Sequence, residues 1–218
     1  MIRLLSIFFV MLFSFSTTAQ KEMLIEQLSG RTITRKSFDK NKKLINKQVF
    51  KVGKLSKEGS RYQLVITAEM FDENGKSTDK YSTTYKCKPN ESSVLVLVFS
   101  FSKPKSKKTG VTVKSSTFDK LYKLDKLNDV AIQITFDSGA LNFFGSKSNL
   151  KFYDRKLTVN VKNQTLESKL SVNAYAWGVR VKSLQYKVLE KLTLSGLLYY
   201  QKFTESDGSY FTMNYSKG

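Results

Sequence analysis

RYQLVITAEMFDENGKSTDKYSTTYKC, residues 61–87, decides the fold class. In its first half Tyr62, Leu64, Ile66, Ala68 and Met70 fall on one side of an extended chain, and Gln63, Thr67 and Glu69 on the other. Alternation with period two marks a strand with one buried and one wet face. Asp72, Asn74 and Gly75 then break the pattern, either as a tight turn or as the start of a calcium loop. A calcium loop needs about six oxygen ligands closed by a bidentate carboxylate at the twelfth position. Counting from Asp72, that position is Thr83. The turn reading follows: Asp and Asn accept bonds from nearby backbone amides, and Gly supplies a positive φ.

The same grammar recurs outward from this hairpin. SFDKNKKL (37–44), FDSGAL (136–141), FYDRKL (152–157) and FTESDGSY (203–210) each read as an aromatic strand end followed by a polar turn. Alternation returns at Ile132, Ile134 and Phe136, at Leu157, Val159 and Val161, and at Tyr186 and Val188. Helical spacing is weak throughout. LYKLDKL, residues 121–127, has leucines three apart but suits a single turn or a linker. The expected fold is all-β: about twelve strands in a single antiparallel, strongly curled sheet, a β-roll or open barrel-like form that protects its edges, with little or no helix.

MIRLLSIFFVMLFSFSTTA, residues 1–19, combines one positive charge with an apolar block and small residues Thr17 and Ala19. This is the pattern of a secretory signal peptide, expected to be cut near Ala19. Residues 20–218 are expected to form one β-rich domain with a basic loop at 102–110. The expected location is the periplasm or the outer-membrane surface. A single cysteine, Cys87, cannot staple the chain to itself. Alternation places it with Tyr81, Thr83 and Tyr85 rather than with Lys86 and Lys88, which favours a buried apolar role over a reactive thiol.

The chain holds no histidine, which removes His-dependent triads and the commonest general base and metal ligand. No acidic pair stands out by spacing, so an enzyme using carboxylates or lysine alone is the weakest of three readings, and no catalytic, cofactor or metal residues are assigned. Trp177, beside Tyr175 and Gly178, is the candidate lining of an apolar groove, against the blander role of closing a core. The formal net charge is +19, and lysines far outnumber the six arginines. Lysines on strands discourage edge-to-edge association. The excess also suits attraction to anionic lipid or acidic polysaccharide, with Lys103, Lys105, Lys107 and Lys108 as the densest cluster. Nucleic acid is not an expected partner, because specific readers rely on arginine forks.

SFDKNKKLINKQVFKV, YQLVITAEMFDENGKSTDKYSTTYKC and LTLSGLLYYQKFTESDGSYFTMNY, taken in order, resemble exported proteins of the TapB-like family. The matching elements are Phe71, Asp72, Gly75 and Lys76 in the hairpin and Tyr85 and Cys87 at its end, whereas residues 94–150 depart from the pattern. The resemblance implies a β-rich fold and an export route, and no reaction or ligand. Two binding readings lead: an envelope module that takes a partner or apolar ligand in a groove, and an electrostatic binder of envelope polyanions.

Overall fold

The computed structural model describes residues 24–87, 111–114, 121–122, 124–136, 147–176 and 178–217. The expected signal peptide, the turn at 137–141, the basic loop with Lys103, Lys105, Lys107 and Lys108, and Trp177 all lie outside the described residues, as does the side chain of Cys87. After a five-residue helix, α1 (Leu24–Leu28), come β1 (Arg31–Phe38), β2 (Leu44–Val52), β3 (Ser56–Glu58), β4 (Arg61–Phe71) and β5 (Ser77–Cys87). They are followed by β6 (Val111–Lys114), β7 (Val130–Phe136), β8 (Lys147–Val159), β9 (Gln164–Ala176), β10 (Val179–Leu192), β11 (Leu198–Thr204) and β12 (Tyr210–Lys217).

The twelve strands of the described residues belong to one antiparallel sheet, ordered β5–β4–β2–β1–β12–β11–β10–β9–β8–β7–β6, with β3 continuing the line of β2 along β4. The chain therefore starts in the middle, winds out to β5, resumes at the opposite edge with β6 and winds back until β12 lies against β1. The two edge strands, β5 and β6, come within 8 Å without forming a ladder, so the sheet curls and stops short of a closed barrel. Between β2 and β3 the backbone crosses close to β4 at Gly53, whose N–H donates to the Val65 carbonyl at 2.8 Å. A Cβ there would stand 2.9 Å from that oxygen, which is why the position needs glycine.

Four connections share one turn. Residues 39–43, 72–76, 193–197 and 205–209 each close with the first amide donating to the fifth carbonyl and the fourth amide donating to the first carbonyl. The fourth residue, Lys42, Gly75, Gly196 or Gly208, takes a positive φ. In the opening hairpin Asp72 Oδ1 accepts from the amides of Asn74 (3.0 Å) and Lys76 (2.9 Å), and Asp39 does the same for Asn41 and Lys43. The oxygen that a calcium loop would direct at the ion is thus turned into the backbone. Gly75→Val is expected to cost about 1 kcal/mol or more through strain at positive φ. Added calcium should leave the melting temperature where it was, and a rise of several degrees would restore the loop reading.

FYDRKL is a correction. Residues 152–157 do not turn; they lie inside β8, where the register slips between Tyr153 and Lys156 and Asp154 takes a φ of 52°. One extra residue is absorbed as a β-bulge, and a bulge exchanges the faces of everything after it. Phe152 points into the core before it and Arg155 turns inward after it. The second correction concerns Val159 and Val161, whereas Leu157 packs against the core as the alternation implied. The ladder with β7 ends at Phe152, so the end of β8 overhangs with β9 as its partner. Val159 is 62% and Val161 91% exposed as a result.

Candidate functional site

Inward-facing side chains stack in layers along the curled sheet. The middle is apolar: Ile33, Phe50, Ala68, Val188 and Met213 are buried on five different strands. Polar groups interrupt this core at both ends, and each end is built differently.

At the end away from the β1–β2 turn, the interior is plugged. Leu121 is buried, Leu124 and Leu127 pack against the core, and Arg155 donates to the carbonyls of Leu121 and Asn128. Beneath this plug Glu190 Oε1 accepts from Tyr122 Oη at 2.8 Å and from Gln201 Nε2 at 2.6 Å, while Tyr215 Oη donates to Gln201 Oε1. Burial raises the Glu190 carboxyl above its ordinary value, against the opposing pull of those bonds and of the Arg155 charge. Its other oxygen has no hydrogen-bond partner among the described residues. Glu190 is sealed from solvent and fastens the plug.

The opposite end, beneath the turns at 39–43 and 205–209, carries Arg35. Ile33 and Arg35 are two apart on β1, so both face inward. The guanidinium lies 4.1 Å from the centroid of Phe211. Phe211 stacks on Phe203 (4.6 Å, 13°), and Tyr186 meets both rings edge-on at 6.0 and 6.2 Å. Such pairs are the favoured aromatic geometries and fix the rings firmly. Arg35 is crowded by protein yet keeps part of its surface accessible, as expected for a side chain on a concave wall. Burial lowers its pKa to about 10, and Tyr186, Tyr81 and Glu205 partly offset that. Burial likewise pushes the hydroxyls of Tyr81 and Tyr186 above the ordinary range for tyrosine. Arg35 Nε is buried without a hydrogen-bond partner among the described residues.

Of the residues singled out from sequence, Tyr175 is described. It sits half-buried near the end of β9, opposite Lys147 on β8 and Arg180 on β10. It is not part of the Arg35 cluster. Arg35 and its rings were not among the sequence candidates, although the alternation of β1 already puts that arginine on the Ile33 side.

No family model matches the chain, and no curated protein is similar to it. The TapB-like resemblance therefore rests on its hairpin residues. Two solved structures are similar in fold. One is a Bacteroides fragilis protein inferred to be exported and described as having a YmcC-like fold, with 12% identity, 86% of this chain and 94% of that chain covered, and a TM-score of 0.46. The other is a Parabacteroides distasonis protein inferred to be a lipoprotein, with 10% identity, 88% and 96% covered, and a TM-score of 0.47.

Proposed function

We propose that this chain is an exported, non-enzymatic module of the bacterial cell envelope that binds a ligand or partner at the Arg35 end of its curled sheet. The observation that carries this is the cluster of Arg35, Tyr186, Phe203 and Phe211, where a cation and three rings converge on the inner face below a ring of tight turns. A wall of fixed rings with one charged group is the usual make-up of a small-molecule site. Export is supported by the apolar amino terminus with its small residues at 17 and 19. The test is fractionation of cells expressing the untagged chain, then native mass spectrometry of protein taken from its own envelope. Recovery in the envelope with a retained mass supports the proposal. Recovery in the cytosol would end it.

A second reading, binding to anionic lipid or polysaccharide, is favoured by the outer face. Lys36 pairs directly with Lys47 across β1 and β2, and Lys169 with Lys187 across β9 and β10. Like charges directly opposite each other destabilise a sheet; Lys169 is offset by its ion pair with Asp154 at 2.7 Å, so it is the Lys36–Lys47 pair that needs a reason beyond solubility. Lys47 and Lys202 lie over Phe71 and Tyr210 at 4.5 and 4.2 Å, which holds these charges on the outer surface. Exposed charges are screened over about 8 Å at physiological ionic strength. Affinity for anionic vesicles is therefore expected to fall steeply between low and moderate salt. Replacing Lys103, Lys105, Lys107 and Lys108 with serine should lower it further while leaving the melting temperature unchanged. Binding that ignores both salt and the substitutions would reduce the charge to a solvation device.

A further inference from the structure

The Arg35 guanidinium is an inward-facing cation whose donors are unspent. It donates no hydrogen bond to any described residue, and its Nε is buried without a partner. Glu205 acts on the guanidinium electrostatically, and its carboxylate is engaged by the Tyr186 hydroxyl. A structural arginine in such a place is normally locked to a carboxylate by a two-pronged pair, because an uncompensated buried charge is costly. Here one face of the guanidinium is covered by Phe211 and its N–H edge is left over. That edge matches the spacing of two oxygens on a carboxylate or phosphate.

We propose that Arg35 is the anion-recognition group of an interior site, and that its ligand is an organic molecule bearing one carboxylate or phosphate on an apolar body. The inference rests on the ligand-binding reading and names the class of ligand. The apolar body is set by the surroundings, since the guanidinium lies against Phe211, with Tyr186 and the fully buried Phe203 packed behind that ring. The single negative charge is set by Glu205 and by Asp79, which stands opposite Met70 at the rim of that end. A polyanion would meet both carboxylates. The site is therefore distinct from the lysine pairs of the outer face.

The test uses the chain from residue 20, labelled with nitrogen-15, and four probes below their micelle concentrations: laurate, dodecyl phosphate, dodecyltrimethylammonium and inorganic phosphate. The Arg35 Nε–H signal is assigned by its disappearance in Arg35→Met. Laurate or dodecyl phosphate should shift that signal, and which of the two does so separates carboxylate from phosphate recognition. Arg35→Met should weaken the same binding at least tenfold. Because it also removes a crowded charge that has no ion-pair partner among the described residues, the melting temperature of the ligand-free variant should hold or rise. That result is not expected of an arginine kept for structure, whose removal would lower it. If the cationic amphiphile binds as well as the anionic ones and Arg35→Met changes nothing, interior binding stands and the role of Arg35 is overturned. Binding of inorganic phosphate alone would overturn the apolar body. If no probe binds, both the anion site and the interior-binding reading fall.

Discussion

Glu190→Ala is expected to destabilise the fold by about 3–5 kcal/mol, the usual cost of removing one member of a buried charged network. Glu190 Oε1 accepts two hydrogen bonds, from Tyr122 and Gln201. Deleting it leaves a tyrosine hydroxyl and an amide without their acceptor inside the protein, and takes away the carboxyl group that faces Arg155. Arg155 holds the carbonyls of Leu121 and Asn128, so the damage should spread to the plug over the interior. Urea denaturation gives the free energy, and hydrogen exchange at the amides of 121–128 should show the plug opening before the sheet. A loss below about 1 kcal/mol, the net worth of one ordinary hydrogen bond, would mean the network is ornamental.

The pH dependence of the same residue has a definite sign. Burial raises the Glu190 pKa in the folded state, so between its ordinary value and the raised one the native protein holds a proton that the unfolded chain has released. Stability falls with rising pH wherever the native state binds more protons. The Glu190 contribution is thus fully present below the ordinary carboxylate range and is lost as pH climbs through the raised value. Glu190→Gln keeps an acceptor for Tyr122 and cannot ionise. Its stability should match the parent in acid, exceed it toward neutral pH, and show a flatter profile between. A parent profile that rises through this window while the variant stays flat would reverse the assignment.

The strands and tight turns were legible because their signals are local. Alternation in residues 62–70 and the Asp72–Gly75 turn each need only a few neighbours to form. Residues 152–157 misled for the same reason. Asp154 takes a positive φ inside a bulge much as a turn residue would, and only the partner strand β9, with Lys169 opposite Tyr153, tells the two apart. Arg35 and Glu190 were hidden by their chemistry. Both lie on the inward phase of their strands, Arg35 with Ile33 and Glu190 with Tyr186 and Val188, yet a charged residue is ordinarily read as facing water. The pairing of β1 with β12 joins residues almost the whole chain apart, and no local pattern announces it.

Phe203→Ala is expected to cost about 3–5 kcal/mol, the range for losing a fully buried aromatic and leaving a cavity. Phe203 has no exposed surface, stacks on Phe211 at 4.6 Å and meets the edge of Tyr186 at 6.2 Å. Its backbone is held on both sides, by Val188 of β10 and by Phe211 of β12, so the sheet cannot collapse into the space. The consequence reaches past stability, because Phe211 carries the Arg35 guanidinium on its other neighbourly contact. With Phe203 gone, Phe211 loses its stacking support and Arg35 loses a fixed platform. Phe203→Leu restores most of the apolar area and none of the stacking. It should therefore recover much of the stability lost in Phe203→Ala, while the Arg35 Nε–H signal stays broadened in both variants. If Phe203→Leu restores a sharp Arg35 signal along with stability, the platform depends on filled volume and the ring geometry is incidental. If Phe203→Ala unfolds by less than about 1 kcal/mol, the three-ring cluster is not the support on which the site is built.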